Sequence, residues 1–143
     1  MSSIIEEFWI YSKDGIPYVN FYHKNSGENQ FKLRTINSDI KILDEVESLL
    51  KASKKILSNT KIEFLELNGF KLVITLCLNN YLLLICRAGL KTKNKQIQNT
   101  CKIICRMINS LYFVKDFRIW DGDIALFDKL SKKLDLYFKM SNL

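Results

Sequence analysis

Imidazole chemistry in this chain would fall to His23, the single histidine among 143 residues. A hydrolytic centre needs such a base beside a nucleophile. His23 closes the run IPYVNFYH, at the end of an expected edge strand, and reads as a solvated strand-end residue. The four cysteines, Cys77, Cys86, Cys101 and Cys105, all lie inside apolar runs. They read as small buried hydrophobes of a reducing compartment. Cys101 and Cys105 stand one helical turn apart, as a metal site might begin, but zinc takes four ligands and His23 is far away in sequence. Asp121, Asp123 and Asp128 lack the oxygen spacing of a calcium loop and precede a helix, where carboxylates serve as caps. Five scattered glycines form neither GxxxxGK[ST] nor GxGxxG, so the chain is not itself a GTPase. Glu6-Glu7 and the pair Glu63 and Glu66 are explained by solvated strand edges. No catalytic residue, metal or cofactor is expected, and the chain is read as a non-enzyme.

Charge offers more than catalysis does. The net charge is +7, from 22 Lys and Arg against 15 Asp and Glu. Residues 1–71 are balanced at ten and ten, whereas residues 72–143 hold twelve bases against five acids. Between Glu66 and Asp116 no acid occurs at all. Arg87, Lys91, Lys93, Lys95, Lys102 and Arg106 fall in that gap and form a candidate contact for an anionic surface. The bland alternative is coding bias, since eighteen of the 22 bases are Lys. The aromatic residues Trp9, Tyr11, Tyr18, Phe21 and Tyr22 lie elsewhere, and residues 87–106 contain none. Those aromatics read as core rather than as a base-stacking platform.

The elements that position these residues follow from turns and periodicity. LVITLCLNNYLLLIC, residues 72–86, is apolar enough to suggest a membrane span. Asn79-Asn80 divides it into pieces too short to cross ~30 Å of hydrocarbon. Asn tolerates positive φ, so this dipeptide makes a tight hairpin. Asn68-Gly69 makes another, giving a meander of strands at about 61–67, 70–78 and 81–87. Asp14-Gly15 joins EEFWIYSK to IPYVNFYH, and Pro17 marks the latter as an edge. The runs LVITLCL and YLLLIC are apolar on both sides, so helices must cover both faces of the sheet.

Three helices are expected. The first spans about 38–58, with Ile40, Leu43, Val46, Leu50 and Leu57 on one face. The second spans about 94–113, with Ile97, Cys101, Ile104, Ile108 and Leu111 on one stripe and Lys95, Lys102 and Arg106 off it. The third opens at Asp121-Gly122-Asp123 and carries Ile124, Phe127, Leu130, Leu134 and Tyr137. The fold is thus α+β, ordered β-β-α-β-β-β-α-α. A five-stranded antiparallel sheet has one helix on one face and two on the other, in a single domain covering residues 1–143. MSSIIEEFW has acids where a secretory leader needs cations, so a cytoplasmic location is expected, with peripheral membrane contact at most.

The hairpin in WIYSKDGIPY, the meander FLELNGFKLVI and the helix opening FRIWDGDIALFDKLSKKLD together resemble the longin-like fold across roughly residues 5–139. They are similar to the small chains of clathrin-type adaptor complexes and to the longin subunits of TRAPP-type tethering complexes. The resemblance implies a non-enzymatic scaffold or adaptor in membrane trafficking, vesicle transport or small-GTPase regulation. Its partners would be a small GTPase or another longin-like or roadblock subunit, in a homo- or hetero-oligomer such as a dimer. Such domains dock partners at the groove between first helix and third strand, or at a sheet edge. Here that region holds Lys51, Lys54, Lys55, Lys61, Glu63, Leu65 and Leu67. The heptad segment of longin SNAREs is not seen after the third helix, so a fusion SNARE is not expected. Roadblock domains begin with a helix, which this chain does not. The rival reading from charge alone is a basic α/β nucleic-acid-binding module, and a small-ligand sensor ranks below it. Nucleic acid is disfavoured because cations and aromatics are segregated.

Overall fold

The computed structural model of the chain describes residues 5–23, 30–36, 63–67 and 69–141. Tight turns set the strand register. Gly15 and Gly69 take φ of 96° and 88°, which their Asp-Gly and Asn-Gly dipeptides foreshadow. Asn79 and Asn80 take φ of 54° and 64°, and Tyr81 N–H donates to the Leu78 carbonyl at 3.0 Å to close that hairpin. Leu78 itself has φ of 54°, strained for a branched side chain. Asn109 helps to hold it there, its Oδ1 accepting from Leu78 N–H at 2.8 Å.

The strands are β1 (Glu7–Ser12), β2 (Pro17–Tyr22), β3 (Lys32–Arg34), β4 (Glu63–Leu67), β5 (Phe70–Cys77) and β6 (Leu82–Gly89). All pair antiparallel in the order β3-β2-β1-β6-β5-β4. The five expected strands are present, and β3 is a sixth. It lies outside β2, so β2 is not the edge strand expected from Pro17; β3 pairs with Asn20, Phe21 and Tyr22 alone, and the Pro17 end of β2 has no ladder on that side.

Helix α1 (Asn94–Leu111) buries Ile97, Cys101, Ile104 and Ile108, as their spacing requires. The expected 94–113 helix stops at Leu111, and a short α2 (Val114–Arg118) follows. Asp116 stabilises its start by accepting from Phe113 N–H at 2.8 Å. A 3-10 turn, Ile124–Phe127, then leads into α3 (Asp128–Ser141). The acidic stretch here is spent on capping: Asp123 accepts from Ala125 N–H at 3.0 Å, and Asp121 from Asp123 N–H at 2.9 Å.

Alternation along the strands gives each face its own core. Phe8, Ile10, Phe21, Val73, Leu84 and Cys86 point to the face that α1 and α3 cover. An aromatic cluster ties the helical end to the first hairpin, with Phe117 5.1 Å from Tyr18 and 5.6 Å from Tyr112 between ring centres. Trp9, Tyr11, Leu72, Ile74, Leu83 and Ile85 form a second buried cluster on the opposite face. The helix expected at 38–58 lies outside the described residues.

Two further sequence expectations change. Cys77 and Cys105 form a disulfide, their Cα atoms 5.6 Å apart, because the end of β5 crosses α1 there. Cys86 and Cys101 remain free and buried against each other, and burial pushes the Cys86 thiol well up. Glu7, expected on a solvated edge, is only 8% exposed. It lies on the second face between Arg87 Nη2 at 3.1 Å and Arg34 Nη2 at 3.3 Å. A buried carboxylate needs such partners.

Candidate interaction surface

The β6–α1 connection carries the cations that the sequence singles out. Lys71 reaches over from β5, its Nζ donating to the Thr92 carbonyl at 2.9 Å and to Asn94 Oδ1 at 2.8 Å. Thr92 N–H donates to the Gly89 carbonyl at 3.1 Å. These bonds shape a loop on which Lys91 and Lys93 stand exposed, with Leu90 beside them at 45% exposure. The next turns of α1 present Lys95, Lys102 and Arg106, all exposed. At 3.6 residues per turn these three fall within roughly 40° of one another around the axis, on a line about 16 Å long. Lys133 of α3 extends the row, donating to Ser110 Oγ at 3.1 Å.

The electrostatics of α1 are unusual for a helix start. Lys93 occupies the N-cap position without a side-chain cap, and the first turn holds no acid. Cations are disfavoured there by the positive pole of the helix, by ~0.3–1 kcal/mol each. Among the described residues, no ion pair engages Lys91, Lys93, Lys95, Lys102 or Arg106.

Arg87 stands apart from the other candidates. Its guanidinium lies on the second face with Glu7, with Glu6 Oε2 3.7 Å away and the Phe70 ring 5.9 Å away. It belongs to a cluster in which Arg34 Nε also donates to Asn20 Oδ1 at 2.6 Å and sits 4.0 Å from the centre of the Tyr22 ring. Of the candidate groove, Lys51, Lys54, Lys55 and Lys61 lie outside the described residues. Glu63, Leu65 and Leu67 fall on β4, the terminal strand of the sheet.

Other places where chemistry might gather are occupied structurally. His23 is half-buried, its Nδ1 3.1 Å from the Gln30 carbonyl oxygen and its ring stacked on Phe31 at 4.1 Å. Among the described residues no nucleophile is hydrogen-bonded to it, and no group of three or more His, Cys, Asp or Glu is arranged to hold a metal. A concavity of about 440 Å³ at the α2 corner is lined by Ile119, Trp120, Leu126 and the same aspartates that cap backbone N–H groups. Spacing alone could reveal the Lys95, Lys102 and Arg106 stripe. The exposure of Leu90 and the clamp by Lys71 carry no sequence signal, since both depend on how the loop closes.

No protein-family model matches the chain, and no curated protein matches its sequence. Among solved structures it is similar to MglC from Myxococcus xanthus, with a TM-score of 0.53 and 10% identity over 78% of this chain and 89% of that one. The likeness supports a longin-like fold. At this identity it speaks to architecture alone. The α+β sheet and helices are consistent with a longin or roadblock-like structure. Among the described residues, no helix is long and apolar enough to cross a membrane.

Proposed function

We propose that this chain is a non-enzymatic longin-like interaction module, one domain over residues 1–143, acting as a scaffold or adaptor subunit in membrane traffic or small-GTPase regulation. A cytoplasmic location is part of the proposal and requires the Cys77–Cys105 pair to be dispensable for folding. The observation that carries this reading is an antiparallel sheet buried on both broad faces, in a fold that aligns with MglC. With both faces filled, binding falls to sheet edges and to the outer sides of helices. The region from Lys51 to Leu67, ending on the terminal strand β4, is where a small GTPase or a second longin-like or roadblock chain would dock. The module works within a homo- or hetero-oligomer.

Two measurements test this together. Light scattering on the purified chain is expected to give a dimer or, with its partner added, a larger complex. A pull-down against a panel of nucleotide-loaded small GTPases and longin-like or roadblock subunits is expected to retain one of them. A strict monomer that retains none would remove the proposal.

A further inference from the structure

We propose that the outer face of α1, led by the Leu90 loop, rests on an anionic lipid bilayer. This goes beyond the protein-partner reading and uses a different surface, so either can fail without the other.

Three observations converge on it. Lys95, Lys102 and Arg106 stand exposed along one line of α1, which Lys133 extends. Lys91 and Lys93 stand exposed on the loop before it, and among the described residues none of Lys91, Lys93, Lys95, Lys102 and Arg106 is in an ion pair. Three of them, Lys91, Lys93 and Lys95, crowd the uncapped, acid-free start of α1, where helix electrostatics oppose them and no ion pair among the described residues uses their charge. Leu90, the apolar residue at the head of the row, is nearly half exposed on a loop that the Lys71 bonds hold in shape.

The partner's chemistry follows from that geometry. A shallow apolar anchor beside a row of cations is the signature of a surface whose negative charge lies above hydrocarbon. The outer side of a helix is convex, so an acidic peptide would find no groove there. A bilayer needs only a line of cations parallel to its plane. RNA or single-stranded DNA would find no ring to stack on, because residues 87–106 contain no aromatic. With α1 lying along the membrane, Leu90 enters the headgroup layer while Lys91 and Lys93 flank it. The row from Lys95 to Arg106 then contacts lipid phosphates and carboxylates.

Vesicle flotation tests the proposal with phosphatidylcholine alone and with phosphatidylserine added. The full chain is expected to float with the mixed vesicles only, and to be released by salt. Each cation near such a surface contributes about fivefold in partitioning. The triple variant Lys91→Gln, Lys93→Gln, Lys95→Gln should therefore bind about a hundredfold more weakly. Removing the same charge elsewhere, by Lys13→Gln, Lys32→Gln and Lys115→Gln, should change binding no more than a few-fold. Leu90→Ser should weaken it by about tenfold through lost apolar burial. Circular dichroism of each variant should match the parent. Equal flotation on neutral vesicles, equal loss in the two triple variants, or displacement of the chain from vesicles by polyglutamate or a short RNA at matched charge would overturn the assignment.

Discussion

On the face of the sheet that α1 and α3 cover, Tyr112 Oη donates to the Leu126 carbonyl at 2.9 Å, and Thr100 Oγ1 to the Gln96 carbonyl at 3.0 Å. On the opposite face, Tyr11 Oη and Trp9 Nε1 are equally buried and have no hydrogen-bond partner among the described residues. A buried polar atom left unpaired costs about 1–3 kcal/mol. The helix-covered face thus gains from both packing and hydrogen bonds. Among the described residues, the second cluster has packing to stabilise it, offset by two donors without a partner there. The same face also holds the Glu7, Arg34 and Arg87 cluster, where charge meets the edge of an apolar layer. Two cores that look alike in hydropathy therefore differ in what stabilises them.

The largest effect is expected on the helix-covered face. Phe127 is fully buried, its ring 6.0 Å from both Phe117 and Trp120 and 6.1 Å from Tyr112. Phe127→Ala should lower stability by about 3–5 kcal/mol in urea unfolding, from lost transfer energy plus the remaining cavity. A loss below about 1 kcal/mol would mean that the helices lie loosely on this face, and the contrast between faces would vanish.

The charged end of the second face should respond less. Glu7→Gln removes the negative charge between two guanidiniums while keeping an acceptor of similar shape. Breaking a fully buried pair costs about 3–5 kcal/mol, whereas exposed pairs contribute ~0–1 kcal/mol. Arg34 and Arg87 are 43% and 35% exposed at the side chain, so a loss of about 1–2 kcal/mol is expected. That loss should shrink in high salt, because part of it is repulsion between the two arginines. A salt-independent loss would assign the effect to packing instead.

How much of this was readable beforehand depended on the range of the interaction. Asp14-Gly15, Asn68-Gly69 and Asn79-Asn80 announce their turns because the required φ is a property of the residues themselves. The double-sided burial of β5 and β6 is equally plain from LVITLCL and YLLLIC. β3 was not legible: KLR is three residues long, and only its pairing with Asn20–Tyr22 makes it a strand. Nor was the Cys77–Cys105 bond, whose members are 28 residues apart and meet only where α1 crosses β5. Glu7, an acid beginning a strand, looks solvated in the sequence because Arg34 and Arg87 reach it from two other strands. Of the candidate surface, Lys95, Lys102 and Arg106 are legible as a stripe. Arg87 is not separable from them without the pairing of Glu7 with Arg87 in register across β1 and β6.

The smallest expected effects bear most directly on the contrast between faces. Tyr112→Phe removes a donor that is in use and should cost about 1 kcal/mol at neutral pH. Tyr11→Phe removes a hydroxyl with no acceptor among the described residues, and should leave stability unchanged or raise it by up to about 1 kcal/mol. Alkali separates the hydroxyl's hydrogen bond from its burial, because desolvation pushes both phenols up to about 12. Between about pH 10 and pH 12 the unfolded chain loses phenolic protons that the folded chain keeps, so stability falls as pH rises through that window. Each Tyr→Phe variant should show a shallower alkaline decline, and the two should do so alike, although only one of them loses stability at neutral pH. If Tyr11→Phe proved as costly as Tyr112→Phe at neutral pH, its hydroxyl would have an acceptor after all. The second face would then be satisfied like the first, and the difference between the two cores would reduce to the ion cluster alone.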